Sequence, residues 1–223
     1  TTSRYVDAAT GYESGGMERV IASAGWPERH WDILLIGGAS GVGKSSVGYR
    51  VAQYFGVAVI EVDDFQVVLE TMTTPEQQPA LHFWHTHPDP GSLSAAQIVE
   101  QGITIGRVML PALEAVIANH IESSRPAVLE GDFILPALAV MKRYGNYSND
   151  GRVRGLFIDE PDVTQIAANY MAREPDAGPQ EKRAEVSALY NHWLMREAER
   201  LGVLRLPARP WETLFDRILA AVG

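Results

Sequence analysis

Residues 38–45 read Gly-Ala-Ser-Gly-Val-Gly-Lys-Ser, which matches the pattern G-x-x-x-x-G-K-[ST] in full. An apolar run precedes the motif, and a helical pattern from Lys44 to about Phe55 follows it. Glycines let backbone N–H groups turn toward phosphate oxygens, and the start of a helix adds positive potential. The strand–loop–helix context argues against a chance glycine-rich turn. The motif therefore predicts a phosphate-binding loop between a strand and a helix.

Short apolar runs alternate with longer helical patterns along the rest of the chain. The predicted strands are Ile33–Ile36, Val57–Val62, Ala127–Glu130, Val153–Ile158 and Val203–Leu206. Alternation of this kind predicts a parallel sheet with helices on both faces. We therefore expect the α/β class, with a five-stranded parallel sheet flanked by helices and the P-loop NTPase fold.

Helix boundaries are indicated at several places. Ser94 begins a capping box and opens a long helix, which we expect to bend or break at Pro111. Pro161 suits the first turn of the helix after the fourth strand, with Glu160 as its cap. Gly202 stands where a C-terminal cap would end the next helix.

Composition excludes some classes of protein. The formal net charge is −9, which argues against a nucleic acid polymer as partner, because such partners require a positive surface. The chain has no cysteine, so disulfides and thiolate metal sites are excluded. No apolar run approaches the ~18 residues of a membrane span, and no secretory pattern opens the chain. We expect a cytoplasmic protein without a membrane partner; its oligomeric state is not readable from the sequence.

The end of the second predicted strand narrows the choice among P-loop proteins. No Asn-Lys pair occurs, which argues against a GTPase, and little chain follows the fifth strand, which argues against an AAA-type ATPase. Asp63 follows that second strand, whose carboxyl end should face the phosphate loop. A carboxylate there is able to accept a hydroxyl proton from a substrate. The alternative is that Asp63 and Asp64 cap the helix that follows.

Five features together carry a resemblance to a known group of enzymes. They are GGASGVGKSS (37–46), EVDDF (61–65), VLEGDFILP (128–136), IDEPD (158–162) and a following helix with Arg173. This set resembles the P-loop small-molecule kinases, which include gluconate and shikimate kinases, chloramphenicol phosphotransferase and uridine kinase. The LEG-x-x-ILP segment is most similar to the 2-phosphoglycerate kinase type. The resemblance implies a nucleoside-monophosphate-kinase-like fold over about 33–220.

The resemblance implies a division of the chain. Residues 1–30 would be an N-terminal arm with a short helix. Part of this arm would be either native sequence or a remnant of cloning. Residues 31–223 would be the kinase domain. Within it, about 66–122 would be an acceptor-binding insertion and about 173–184 a mobile lid.

The expected cofactors are ATP and Mg²⁺. Nucleotide contacts are assigned to the loop and to the segment after the fifth strand, namely Gly38, Ala39, Ser40, Gly41, Val42, Gly43, Lys44, Ser45, Ser46 and Arg209. Trp211 falls in the same segment as Arg209, where this group of kinases contacts adenine. The Mg²⁺ ligands, direct or through water, are expected among Ser45, Glu130 and Asp132. The alternative for the Glu130–Asp132 segment is a strand-ending turn.

The catalytic residues implied by the resemblance are Asp63, Lys44 and Arg173. Asp63 would position and deprotonate the acceptor, Lys44 would hold the β- and γ-phosphates, and Arg173 would stabilise charge on the transferring phosphoryl group. Lys182 and Arg183 are alternatives to Arg173, and each of these side chains would otherwise be a solvated surface cation.

The insertion supplies the candidates for acceptor binding, which are Asp64, His82, Trp84, His85, His87 and Arg107. The three histidines have a spacing that could suggest a metal site, but no fourth ligand is evident nearby. Trp84 and the adjacent Phe83 would either wall the acceptor pocket or anchor a loop in the core. Arg107 would hold an anionic group or lie on the solvent face of its helix.

We therefore expect an ATP-dependent phosphotransferase that moves the γ-phosphate to a hydroxyl of a small metabolite or natural product. One alternative is a nucleoside or nucleotide kinase, favoured by the similarity of the Asp-Asp-Phe segment to uridine kinase. Another is a nucleotide-dependent regulatory or binding ATPase, in which the long insertion would contact a protein partner.

Overall fold

The computed structural model describes residues 25–223, so most of the expected N-terminal arm at 1–30 lies outside the described residues. The strands are β1 (Ile33–Gly37), β2 (Ala58–Glu61), β3 (Ala127–Gly131), β4 (Arg143–Tyr144), β5 (Tyr147–Ser148), β6 (Val153–Asp159) and β7 (Leu204–Pro207). The α-helices are α1 (Lys44–Phe55), α2 (Val62–Met72), α3 (Phe83–Thr86), α4 (Ala95–Glu122), α5 (Pro136–Ala139), α6 (Val163–Arg173), α7 (Glu181–Leu201) and α8 (Trp211–Val222). Short 3₁₀ turns lie at Pro90–Ser92 and Pro175–Ala177.

The main sheet has the strand order β2-β3-β1-β6-β7, and every neighbouring pair is parallel. Every residue of β1 and β3 is buried. Because side chains alternate between the two faces of a strand, complete burial requires cover on both faces. The prediction of a five-stranded parallel sheet flanked by helices is confirmed. The antiparallel hairpin β4–β5 is an addition that the sequence did not indicate.

The phosphate loop lies between the central strand and the first helix. β1 ends at Gly37 and α1 begins at Lys44, so the loop emerges at the carboxyl end of the sheet. Helix α1 packs against α8, while α7 packs against α4, α5 and α6. These contacts bring α6, α7 and α8 close enough to contribute side chains beside the loop.

Several helix boundaries differ from the predictions. Helix α4 continues through Pro111 without a break, although its capping box at Ser94 is confirmed. Helix α6 begins at Val163 rather than at Pro161, and its cap is Asp162 rather than Glu160. The Asp162 carboxylate accepts hydrogen bonds from the backbone N–H groups of the first turn, which Glu160 does not reach.

Helix α4 is 28 residues long and, among residues 25–223, is the one helix whose length and composition would allow it to cross a membrane. In this fold its inward positions are buried, including Ile103, Met109, Leu113 and Ile117. These side chains belong to the main hydrophobic core. The pattern is that of an amphipathic helix with one face packed on the core.

The proposed insertion and the proposed lid each correspond to defined secondary-structure elements. The range 66–122 contains most of α2, all of α3 and α4, and the first 3₁₀ turn. The range 173–184 contains the second 3₁₀ turn and the start of α7. Their division as functional units remains a prediction.

Candidate active site

The loop at 38–43 is shaped to surround an anion. Gly41 and Gly43 have φ values of 78° and 92°, a region that favours glycine. A Cβ on Gly43 would lie 2.6 Å from the Trp211 ring, so only glycine fits there. Helix α1 begins at this point without a side-chain cap and without an acidic residue in its first turn. Its first N–H groups are therefore available to phosphate oxygens.

Lys44 lies at the base of a cavity of about 660 Å³ above this loop. Its side chain is 6% exposed, and its Nζ donates to the Ala39 carbonyl at 2.8 Å. The same ammonium forms an ion pair with Asp132 Oδ1 at 2.5 Å. Asp132 was expected near Mg²⁺, but in this structure its carboxylate is paired with Lys44. A bound phosphate would have to compete with that carboxylate for Lys44.

Glu130 and Ser45 lie together beside Lys44. Glu130 is 3% exposed near the end of β3, and Ser45 lines the same cavity. Burial raises the pKa of Glu130, while Lys44 and the Ser45 hydroxyl favour its charged form. A hydroxyl and a carboxylate are oxygen ligands of the kind that Mg²⁺ prefers.

Among residues 25–223, no group of three or more His, Cys, Asp or Glu side chains is arranged to hold a metal ion. Ser45 and Glu130 supply oxygen atoms, which fit a Mg²⁺ ion that takes further ligands from phosphate oxygens and water, as is usual for this ion.

Asp63 also faces the cavity, but from the first turn of α2 rather than from a strand end. The backbone N–H of Asp132 favours the charged form of the Asp63 carboxylate. Partial burial, followed by the nearby Asp132 charge, raises the pKa of Asp63. A Cβ on Gly131 would lie 2.7 Å from Val62, so this glycine allows α2 to approach the end of β3. Neither Asp63 nor Asp64 caps α2 through its side chain.

Helix α6 forms another wall of the cavity. Asn169 Nδ2 donates to the Gly41 carbonyl at 2.8 Å and holds the helix against the loop. Arg173 lines the cavity, and its guanidinium is paired with Glu174 at 2.7 Å. Arg183 is paired with the same carboxylate at 2.8 Å but lines a different cavity. Of the lid cations considered from the sequence, Arg173 is the one beside the phosphate loop.

Arg209 lies outside this cavity, so its expected nucleotide contact is not supported. Its guanidinium pairs with the buried Glu160 at 2.8 Å and with Asp162 at 3.4 Å. The side chain neutralises a buried carboxylate and joins the segment before α6 to the segment before α8. Trp211 and Leu214 line the cavity instead.

The histidines of the insertion do not converge. His82 Nε2 lies 3.1 Å from Thr73 Oγ1, and His85 Nε2 lies 3.5 Å from Glu70. The His87 ring packs against Phe83 with centroids 4.9 Å apart. None of the three lines the cavity above the loop or the cavity described next.

Two further acceptor candidates also lie apart from the cavities. Arg107 is exposed and faces Glu100 at 3.4 Å, which matches the solvent-face alternative. Asp64 is exposed beside Asp63 and lines neither cavity. Of the acceptor candidates taken from the sequence, Trp84 is the one that lines either of these two cavities.

That second cavity, of about 370 Å³, lies between α4 and α7 and shares Ser40 and Asp132 with the first. Helix α7 holds this shared wall in place. Tyr190 donates its hydroxyl proton to the Asp132 carbonyl at 2.9 Å, and Ser187 donates to the Ser40 carbonyl at 2.5 Å. The sequence did not predict Ser187, Tyr190 or Asn169 as site residues, nor Arg50, which lines the first cavity. The spacing of Ser187 and Tyr190 indicates one helix face but not what that face contacts.

The sheet order and the phosphate loop together define a protein with the P-loop NTPase fold. The resemblance noted from the sequence is confirmed by similarity to curated 2-phosphoglycerate kinases. The protein from Pyrococcus horikoshii is 29% identical over 108 residues, which are 47% of this chain and 36% of that protein. The protein from Methanocaldococcus jannaschii is 26% identical over 112 residues, which are 48% of this chain and 35% of that protein. The match thus spans little more than a third of these relatives.

No family model matches the chain. Solved structures that resemble it include a gluconokinase from Sinorhizobium meliloti, with 17% identity, a TM-score of 0.42 and coverage of 87% of this chain and 92% of that one. A shikimate kinase from Acinetobacter baumannii in complex with shikimate has 14% identity, a TM-score of 0.44 and coverage of 86% and 96%. Both TM-scores are 0.44 or lower, so the fold is assigned from the sheet order and the loop geometry.

Proposed function

We propose that the protein is an ATP- and Mg²⁺-dependent phosphotransferase that acts on a hydroxyl of a small molecule. The observation that carries this proposal is the convergence of Lys44, Asp63 and Glu130 on one cavity above the phosphate loop. The similarity to 2-phosphoglycerate kinases supports a kinase function. The adjoining second cavity offers space for an acceptor beside the phosphates.

The loop amides and Lys44 bind the phosphates of ATP. Ser45 and Glu130 would hold Mg²⁺, which neutralises phosphate charge when bound. Asp63 orients the acceptor hydroxyl and takes its proton as the new bond from oxygen to the γ-phosphorus forms. The bond from the γ-phosphorus to the β,γ-bridging oxygen breaks, and ADP leaves. Arg173, on the α6 wall, stabilises charge on the transferred group.

The test separates binding from transfer. Asp63→Asn should retain ATP affinity and lower phosphoryl transfer by about 10²–10⁴-fold, because the amide does not accept the proton. Lys44→Ala should abolish ATP turnover. ATP affinity is measured by calorimetry and transfer by mass spectrometry of the acceptor. Undiminished transfer by Asp63→Asn would remove its catalytic role.

Asp64→Asn is the matched comparison, since it neutralises the adjacent carboxylate that lines neither cavity. A larger loss of transfer at Asp64 than at Asp63 would move the proposed role to the neighbouring residue.

A further inference from the structure

The second cavity adjoins the phosphate cavity at the place where an acceptor would have to lie. Ser40 and Asp132 form the wall that the two cavities share. Asp63 lines the phosphate cavity together with Asp132, and a Cβ on Gly131, the residue before Asp132, would lie 3.4 Å from Asp63 Oδ1. A hydroxyl group at the inner end of the second cavity would therefore be close to the proposed base and to the phosphate loop.

The lining of this cavity is mostly apolar. Aromatic and aliphatic side chains surround it, among them Trp84, Phe133, Tyr190, Ile98, Val99 and Ile105. Cavities lined in this way bind ligands chiefly by removing apolar surface from water. A volume of about 370 Å³ is near the lower end for ligand pockets, about 300–1,000 Å³, which suits a compact ring system.

Three polar side chains of the lining, those of Ser187, Tyr190 and Arg183, are already engaged. Ser187 and Tyr190 donate their hydroxyl protons to backbone carbonyls. Arg183 donates to Glu174 at 2.8 Å and to Gln180 at 2.7 Å. With these three side chains engaged, an open-chain polyol lying along the cavity would lose more hydrogen bonds to water than it gains from the walls, which is costly.

The charges of the lining also oppose a multiply charged acid. Among the described residues that line the cavity, Arg183 is the one cation, and it is paired with Glu174. Asp132 adds a carboxylate to the shared wall. A molecule with both a phosphate and a carboxylate, such as 2-phosphoglycerate, would bring more negative charge than this lining can pair.

We infer that the acceptor is an apolar, ring-bearing alcohol whose hydroxyl points at the Ser40–Asp132 wall, and not a phosphorylated acid or an open-chain polyol. This inference rests on the proposed phosphotransferase function. The inferred acceptor differs in chemistry from 2-phosphoglycerate, for which the curated relatives are named. The ring system packs among the aromatic and aliphatic walls, and only the reacting hydroxyl reaches the polar end.

Gly102 gives a specific way to test the cavity. It lines the cavity from α4, and an added Cβ would meet nothing within 4 Å. Gly102→Leu should therefore fill the cavity while improving helix propensity. Val186→Phe fills it from α7 and serves as a second variant if the first fails to fold. Ala96→Leu is the matched control, because Ala96 is exposed on the same helix.

The experiment measures binding of 2-naphthylmethanol and of 2-phosphoglycerate by calorimetry, with transfer to each followed by mass spectrometry. We expect the naphthyl alcohol to bind, with affinity reduced about tenfold or more in Gly102→Leu and unchanged in Ala96→Leu. Affinity for ATP should be the same in all three proteins, because Gly102 does not line the phosphate cavity.

The outcomes distinguish the inference from the proposed function. If the naphthyl alcohol binds and Gly102→Leu weakens that binding, the inference is supported. If the naphthyl alcohol binds in this way but is not phosphorylated, only the phosphotransferase proposal is contradicted. Failure of the naphthyl alcohol to bind, or equal binding by wild type and Gly102→Leu, overturns the inference. In that case phosphorylation of 2-phosphoglycerate would leave the kinase proposal intact.

Discussion

Lys44 is a buried cation whose position beside the phosphate loop is fixed by two hydrogen-bond partners. Its ammonium is buried and bound to the Ala39 carbonyl and the Asp132 carboxylate. A buried charge without a partner is costly, so the chain supplies an anion in the same cavity. Under the proposed function, a nucleotide would have to replace that anion, and Asp132 would therefore oppose phosphate binding in two ways. It competes for Lys44, and its charge repels the phosphates.

The first residue-scale prediction concerns Asp132. Asp132→Asn should tighten ADP binding severalfold in EDTA, because the competing charge is removed; each tenfold change corresponds to about 1.4 kcal/mol. If Asp132 also assists Mg²⁺ binding through water, the gain should shrink or reverse when Mg²⁺ is present. Both affinities are measured by calorimetry.

Glu100→Gln is the control for that measurement, since it removes an exposed carboxylate on α4 that lines neither cavity. Its affinity for ADP should match that of the wild type. Unchanged or weaker ADP binding by Asp132→Asn in EDTA would contradict the competition between Asp132 and the phosphates.

At the scale of elements, local sequence predicted the sheet well. All five strands of the main sheet were predicted to within one residue at each end. Strands buried on both faces appear as continuous apolar runs, and the phosphate loop marks where the central strand ends. The two-residue strands β4 and β5 are too short to show any periodicity.

Local sequence was less informative about acidic residues at the ends of elements. Val62 continues the apolar run of β2, yet it is the first residue of α2, so Asp63 lies in a helix. Glu160 and Asp162 flank Pro161, and both are acidic residues near the start of α6, which makes the cap ambiguous from the sequence. Only the hydrogen bonds identify Asp162 as the cap.

The rest of the candidate site depends on contacts between distant parts of the chain. Asn169 and Gly41 are 128 residues apart, and Ser187 and Ser40 are 147 residues apart. Helical spacing predicts that a side chain shares a face with its neighbours, but not which element that face meets. The walls supplied by α6 and α7 could therefore not be predicted from one sequence.

The element-scale prediction concerns the start of α4, the helix that supplies one wall of the second cavity. The Ser94 hydroxyl accepts a hydrogen bond from the backbone N–H of Gln97, within a complete capping box. Ser94→Ala should lower the free energy of unfolding by about 1 kcal/mol, as measured by urea denaturation. Ser94→Asp should restore most of the loss, since aspartate also caps well. Equal stability of all three proteins would show that the cap contributes nothing here.

At the scale of the whole molecule, a hydrogen bond joins the proposed lid to the proposed insertion. Lys182, at the start of α7, donates to the Gly91 carbonyl at 2.8 Å. Arg173 and Arg183, on the two sides of the lid segment, share the carboxylate of Glu174. A kinase gains from such closure because excluding water limits transfer of the phosphoryl group to water.

This arrangement gives a prediction that also separates a kinase from a regulatory ATPase. Wild-type protein should release little ADP until an alcohol acceptor is supplied, and product formation should then account for most of the ADP released. Lys182→Met should lower the ratio of transfer to hydrolysis severalfold, because the lid is no longer held to the insertion. The ratio is measured by quantifying ADP and phosphorylated acceptor in the same reaction.

Lys142→Met is the matched control, since Lys142 is exposed and lines neither cavity. It should leave the ratio unchanged. A ratio that is equal in all three proteins would contradict a role for the Lys182 contact in excluding water. ADP release that does not depend on any small-molecule acceptor, but rises with a protein partner, would instead favour the regulatory ATPase, since a switch couples hydrolysis to its partner rather than to a hydroxyl group.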